Sequence, residues 1–229
     1  AAAVVPAGTA WTPLPDALKL LPLYTMALMK SPAFRGGTDT GADERAFILQ
    51  RLENMAADQT RFFIYPRLIP IHGALLGDKL EEAVVGSNDD ERVIHNMPAP
   101  LNLSSDSVAS DGIYLLDNAI KLIIWVGANA DRTLVETLFS FDPNSQAGDL
   151  LMYGSDRCPT TLGRIHRNFH MILRAVHMQH PPHLEIDVIH EGDRAKQPLF
   201  FRHLVEDHAT FPGGQFSYQE FMAHIQRQS

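Results

Sequence analysis

His166 and His170 stand four residues apart, a spacing that puts two imidazoles on one face of a helix and suits a metal. Arg167, Asn168 and Phe169 lie between them, so no glutamate follows the first histidine, and no third ligand is near in sequence. With His177 they line the edge of an apolar stripe, and the expectation is a row of boundary histidines with no bound metal. The single cysteine, Cys158, excludes an internal disulfide and a cysteine-rich zinc site. It precedes Pro159 and has no helix N-terminus to stabilise a thiolate. Neither a dinucleotide fingerprint nor a P-loop is present, and the glycine pairs at 36–37 and 213–214 read as turns. No nucleophile elbow occurs. Asp16, Asp43, Glu44, Asp106 and Asp131 sit where helices start, which is where carboxylates offset the helix dipole. No catalytic set and no cofactor follow from these residues. Arg164, Arg167 and Arg174, with Arg157 nearby, gather in one segment. They read first as a solvated helix face, and alternatively as a contact surface for an acidic partner or phospholipid headgroups.

The 229 residues suffice for one large domain or two small ones. A composition 45% hydrophobic and 20% charged is ordinary for a folded protein. The net charge of -8 argues against nucleic-acid binding by bulk electrostatics. No apolar run approaches the roughly 20 residues that span a bilayer. The opening AAAVVPAGTA has neither a basic n-region nor a long apolar core, so no signal peptide is expected. It begins with Ala, as a processed or excised fragment would. Low cysteine content fits a reducing compartment.

Residues 1–15, rich in Ala and Pro, read as an extended or disordered lead. A helix from Asp16 to Lys30 follows, kinked or delayed by Pro22, and a second runs from Ala42 to Ala57 with Phe47, Ile48, Leu52 and Met55 on one face. FFIYPRLIPI (62–71) is β-like, but its two prolines restrict it to an edge or crossover. Residues 73–100 carry many acids and few large side chains and read as a solvated loop. In GIYLLDNAIKLIIWVG (112–127) two apolar strands, 112–117 and 120–126, flank Asp117-Asn118, residue types that tolerate tight turns. Both strands are apolar on both faces, so the hairpin should be covered on both sides. Asp131 caps a short helix, a long helix runs from Pro159 to Gln179, HLEIDVI (183–189) alternates as a strand, Pro198–Val205 forms a short helix, and Ser217 caps a last helix bearing Tyr218, Phe221, Met222 and Ile225. The implied class is α/β (α+β): a helical unit, then a small sheet between a long helix and shorter helices.

Six segments in order carry a resemblance: LPDALKLLPLYTMALMKSPAF (14–34), DERAFILQRL (43–52), FFIYPRLIPI (62–71), GIYLLDNAIKLIIWVG (112–127), LFFRHLVEDH (199–208) and SYQEFMAHI (217–225). Together they resemble the C-terminal part of the Sec24-type cargo-adaptor subunits of the COPII vesicle coat. The resemblance implies the end of a helical domain at 16–65, a crossover and long acidic loop at 66–100, a gelsolin-like domain with a mixed sheet at 101–208, and a C-terminal helix at 209–229 that returns to the helical unit. It also implies a non-enzymatic role in selecting cargo for transport from the endoplasmic reticulum to the Golgi. The Sec23-type subunit and export-signal peptides would be partners, with peripheral attachment to the cytosolic face of the endoplasmic reticulum membrane and no nucleic acid. A structural zinc would belong to an N-terminal part outside this chain. Phe200 and Phe201, just before Leu204-Val205-Glu206-Asp207, become candidate cargo contacts, one expected to anchor the core and the other to be partly exposed. The family usually has glycine where Ala119 stands, so the hairpin turn is expected to be shifted or rebuilt. The alternatives are an actin- or calcium-binding gelsolin-like module and the Sec23-type partner itself.

Overall fold

The computed structural model describes residues 15–35, 40–77, 80–84, 92–139, 161–180, 184–211 and 214–228. They divide into two units. One joins the chain up to Met55 with Val205 onward, and the other is Ala56–Leu204.

The first unit is mainly helical. Asp16 does not start the first helix as expected. It lies in a 3-10 turn, Asp16–Leu18, with no side-chain cap, and α1 begins only at Leu21 (Leu21–Lys30). Pro22 sets this start, because a proline is tolerated only in the first turn, where its missing N–H costs no hydrogen bond. α2 spans Ala42–Asn54 with Asp43 and Glu44 in its first turn. The returning segment of this unit adds α8 (Tyr218–Gln228), which packs against α1. Ser217 and Glu220 form a capping box at its start. The Glu220 carboxylate accepts from the Ser217 N–H (2.7 Å) and hydroxyl (2.9 Å), and the Glu220 N–H donates to Ser217 Oγ (3.3 Å). Lys30, at the end of α1, is only 4% exposed. Its ammonium donates to the carbonyls of Val205 (2.8 Å) and Asp207 (2.6 Å). Burial lowers its pKa to about 8, against the opposing pull of Asp207.

The second unit is built on a four-stranded sheet of order β1-β4-β5-β6: β1 Arg67–Pro70, β4 Ile113–Asp117, β5 Lys121–Val126 and β6 Glu185–His190. β1 pairs antiparallel with β4, β4 and β5 form the hairpin, and β6 runs parallel to β5. Alternation splits the hairpin between two cores. Ile113, Leu115, Leu122, Ile124 and Val126 face α6 (Thr161–His177), whose stripe is Ile165, Phe169, Ile172, Leu173 and Val176. Tyr114, Leu116, Ile123 and Trp125 are also buried, so both faces are covered.

The sheet thus begins at residue 67, before the 101–208 span, and the YPRL segment supplies its edge strand. The expected loop at 73–100 is also corrected. It holds α4 (His72–Leu76) and an antiparallel hairpin of β2 (Glu81–Val84) with β3 (Arg92–His95). The β-branched Val84, Val93 and Ile94 favour these strands despite the acids around them. α4 is too short to satisfy its own C-terminal carbonyls, and Asn168 of α6 does so. Its amide donates to the carbonyls of Ala74 (3.0 Å), Leu75 (3.1 Å) and Gly77 (2.8 Å).

The hairpin turn is not shifted. Ala119 itself takes a left-handed conformation, φ 64°, disfavoured for a residue with a Cβ. Side-chain acceptors hold it there. Asp117 Oδ1 accepts from the Ala119 N–H (3.0 Å), and Asn118 Oδ1 accepts from the N–H groups of Ile120 (3.0 Å) and Lys121 (2.9 Å). At the other end of β5, Gly127 is required sterically: a Cβ there would lie 2.1 Å from the Ser110 carbonyl oxygen.

Further helices follow among the described residues of this unit. α5 (Arg132–Phe139) is capped by Asp131, whose Oδ1 accepts from Thr133 N–H (2.8 Å) and Leu134 N–H (3.2 Å). α7 (Gln197–Phe201) is shorter than the expected 198–205 helix.

Candidate functional site

The two candidate phenylalanines divide their roles. Adjacent helical residues project about 100° apart. Phe200 points inward, fully buried, and stacks on Trp125 with ring centres 4.6 Å apart. Phe201 is half-buried and meets Trp125 edge-on at 5.3 Å. Leu199, 43% exposed, stands on the same short helix. Trp125 Nε1 is buried without a hydrogen-bond partner among the described residues. α7 therefore offers solvent a small patch of one aliphatic and one aromatic side chain over a rigid aromatic base.

The arginines lie on α6, where Arg167 and Arg174 are exposed and Arg164 is half-buried. Arg157 lies outside the described residues. α6 carries no acidic residue, but its arginines are spread along the helix without converging on a cavity. His166 and His170 are half-buried on the same helix. Burial, and then the neighbouring His170, lower the pKa of His166. Among the described residues no three His, Cys, Asp or Glu side chains gather closely enough to hold a metal ion.

A third place combines a cavity with buried charge. Arg67 and Asp117 are register partners on β1 and β4. Asp117 Oδ2 accepts from Arg67 Nε (3.1 Å) and Nη2 (2.5 Å), and lies 2.9 Å from His180 Nε2. Both the Asp117 and the His180 side chains are fully buried. Arg67 Nη1 donates to Gln179 Oε1 (2.7 Å), and the guanidinium lies 4.2 Å over the ring of Phe62, which is part of α3 (Ala57–Ile64). The network ties α3, the sheet edge, the hairpin turn and the end of α6 together. Beside it opens a cleft of about 550 Å³, lined by Arg67, Ile69, the Met97–Pro100 segment, Ala175 and Val176 at the end of α6, and Met178 and Gln179 just beyond it. Leu101 makes one bridge to the β1 edge, its N–H donating to the Leu68 carbonyl (2.7 Å). Pro98 and Pro100 have no N–H with which to continue the ladder, so the cleft remains between this segment and α6.

None of Phe62, Arg67, Asp117, Gln179 and His180 was singled out as a site from sequence. A signal was available: Arg67 and Asp117 are charges of opposite sign inside two otherwise apolar strand segments, and burying them requires that they pair.

Residues 4–61 match the Sec23/Sec24 helical domain and residues 94–146 match the gelsolin repeat. Human protein transport protein Sec24C is 26% identical over 94% of this chain, and SEC24 B of Arabidopsis thaliana 28% over 94%. Human Sec24B is 30% identical over 93% of the chain. The chain spans 18%, 18% and 16% of the lengths of these three relatives, respectively. The crystal structure of the human COPII-coat protein Sec24c superposes with a TM-score of 0.68 at 27% identity, covering 94% of this chain and 26% of that one. The chain is thus similar over nearly its whole length to Sec24-type proteins, with the helical and gelsolin-like parts in the expected order.

Proposed function

We propose that the chain is the C-terminal, non-enzymatic part of a Sec24-type subunit, serving a COPII coat that selects cargo for transport from the endoplasmic reticulum to the Golgi. The observation that carries this is similarity to Sec24 transport proteins over 94% of the chain, with matching fold. The partners implied are a Sec23-type subunit and cargo export signals. The place of action is the cytosolic face of the endoplasmic reticulum membrane and the vesicles that leave it. Among the described residues no helix is long and apolar enough to cross a membrane. The role needs no cofactor in this chain. On this reading Phe201, with Leu199 beside it, is the cargo-facing part of α7, and Phe200 is its support. An actin- or calcium-binding role rests only on the 94–146 gelsolin match, which is also part of the coat-protein reading.

The test is recruitment. The complete protein, purified with a Sec23-type subunit, is expected to form a stable complex and to concentrate at vesicle-budding sites of the endoplasmic reticulum. Depleting it is expected to slow export of a subset of membrane cargo. A complete protein that binds no Sec23-type subunit and leaves export unchanged would overturn the proposal.

A further inference from the structure

The cleft beside Arg67 has one polar end and apolar walls. A guanidinium carries five N–H groups. Nε and one N–H of Nη2 donate to Asp117, and one N–H of Nη1 donates to Gln179. One N–H on each terminal nitrogen thus has no acceptor among the described residues. Gln179 uses its oxygen to accept from Arg67, so its amide nitrogen presents further donors at the same end. Both side chains line the cleft, and most of what they can still offer a ligand is donors, with one lone pair of Gln179 Oε1 beside them. The donor set is also fixed in place, because a fully buried carboxylate and the face of Phe62 hold the guanidinium. The walls are Ile69, Met97, Val176 and Met178, and the two methionines adapt to aliphatic shapes.

The geometry points to a binding site for the carboxyl-terminal residue of another polypeptide, with its carboxylate on Arg67 and Gln179 and an aliphatic side chain against the methionine-lined wall. A chain end places carboxylate and side chain on a single carbon, which suits a cleft whose one charged lining residue borders its apolar wall. Asp117 already balances the charge of Arg67. Attraction therefore comes from charge-assisted hydrogen bonds and apolar burial, and the affinity is modest, on the order of 10–100 µM. This site does not depend on the coat reading, and recruitment to vesicles is measured separately from peptide binding.

The experiment is fluorescence anisotropy of the complete protein with an N-terminally fluorescein-labelled Gly-Ser-Gly-Ile-Val peptide bearing a free carboxyl end. Two comparison probes are the same peptide ending in an amide and an amidated Gly-Ser-Asp-Ile-Gly peptide. The free acid is expected to bind about tenfold more tightly than either amide. Gln179→Glu, which still accepts from Arg67 but repels a carboxylate, and Ala99→Trp, which fills the cleft from an exposed position, are each expected to weaken binding about tenfold with unchanged circular dichroism. Equal binding of acid and amide, no binding at roughly millimolar protein, or unchanged affinity in both folded variants would overturn the assignment. Tighter binding of the amidated aspartate peptide would overturn it in favour of an internal acidic segment.

Discussion

Asp117 is fully buried in the hairpin, and the guanidinium of Arg67, its register partner on β1, is the charge that compensates it. Such a pair is costly to break and cheap to replace as a whole, because the cost lies in the orphaned charge. Arg67→Met alone is expected to destabilise by about 3–5 kcal/mol, and Arg67→Met with Asp117→Leu by clearly less than the sum of the single changes. Denaturant unfolding of the four species in a double-mutant cycle checks this. Additive losses would mean that the pair does not act as a unit.

Ala119 holds a conformation that glycine adopts freely. Ala119→Gly is expected to stabilise by about 0.5–1 kcal/mol, the relieved left-handed strain exceeding the added entropy of the unfolded chain. A lowered melting temperature would contradict this.

Gly127 leaves no such freedom, since its missing Cβ would meet backbone at 2.1 Å. Gly127→Ala is expected to cost about 3 kcal/mol by forcing the turn at Ser110 away from the end of β5. Hydrogen exchange at Asn129, whose N–H donates to the Ser110 carbonyl (2.8 Å), should accelerate in the same variant.

His203 sets an acid limit. Burial, then the positive charges of Arg202 and Lys121, push its pKa from 6.5 down to about 3. Between those values the unfolded chain binds the proton and the folded chain does not, so stability is complete above pH 6.5 and falls as pH drops toward 3. His203 as a residue is only partly buried, and the loss is about 2 kcal/mol, below what the full shift would give. Unfolding midpoints measured across this window should flatten in His203→Gln.

Phe200 and Phe201 should separate stability from binding. Phe200→Ala is expected to cost about 3–5 kcal/mol through loss of its stack on Trp125. Phe201→Ala is expected to leave the fold intact and weaken some export-signal peptides about tenfold. Binding of every peptide at the parent affinity by the folded Phe201 variant would remove α7 from the cargo surface.

What could be read from sequence was what is written locally. The 112–127 hairpin, the α6 stripe and the caps at Asp131 and Ser217 each follow from periodicity or from one side chain beside its own helix. The β2–β3 hairpin was missed because its two short strands lie inside an acidic stretch, and pairing decides them more than composition does. The Ala119 turn was misjudged because its strain is offset by Asp117 and Asn118 acting on backbone two and three residues ahead. The cleft was illegible because it joins residues 67, 97–100 and 175–179, and only the β1–β4 register and the two unpaired prolines bring them together.

The bond from Lys30 to the carbonyl of Val205 spans 175 residues of sequence. The helical unit that contains both ends is therefore interrupted by a complete second unit. On a ribosome moving at roughly 5–20 residues per second, α1 would wait roughly 10–35 s for the segment that accepts its terminal lysine. During that interval the apolar face of α1 that later meets α8 has no partner from its own unit, while the sheet unit is completed first. The order of synthesis thus lets the inserted unit mature first, and the helical unit closes only after it.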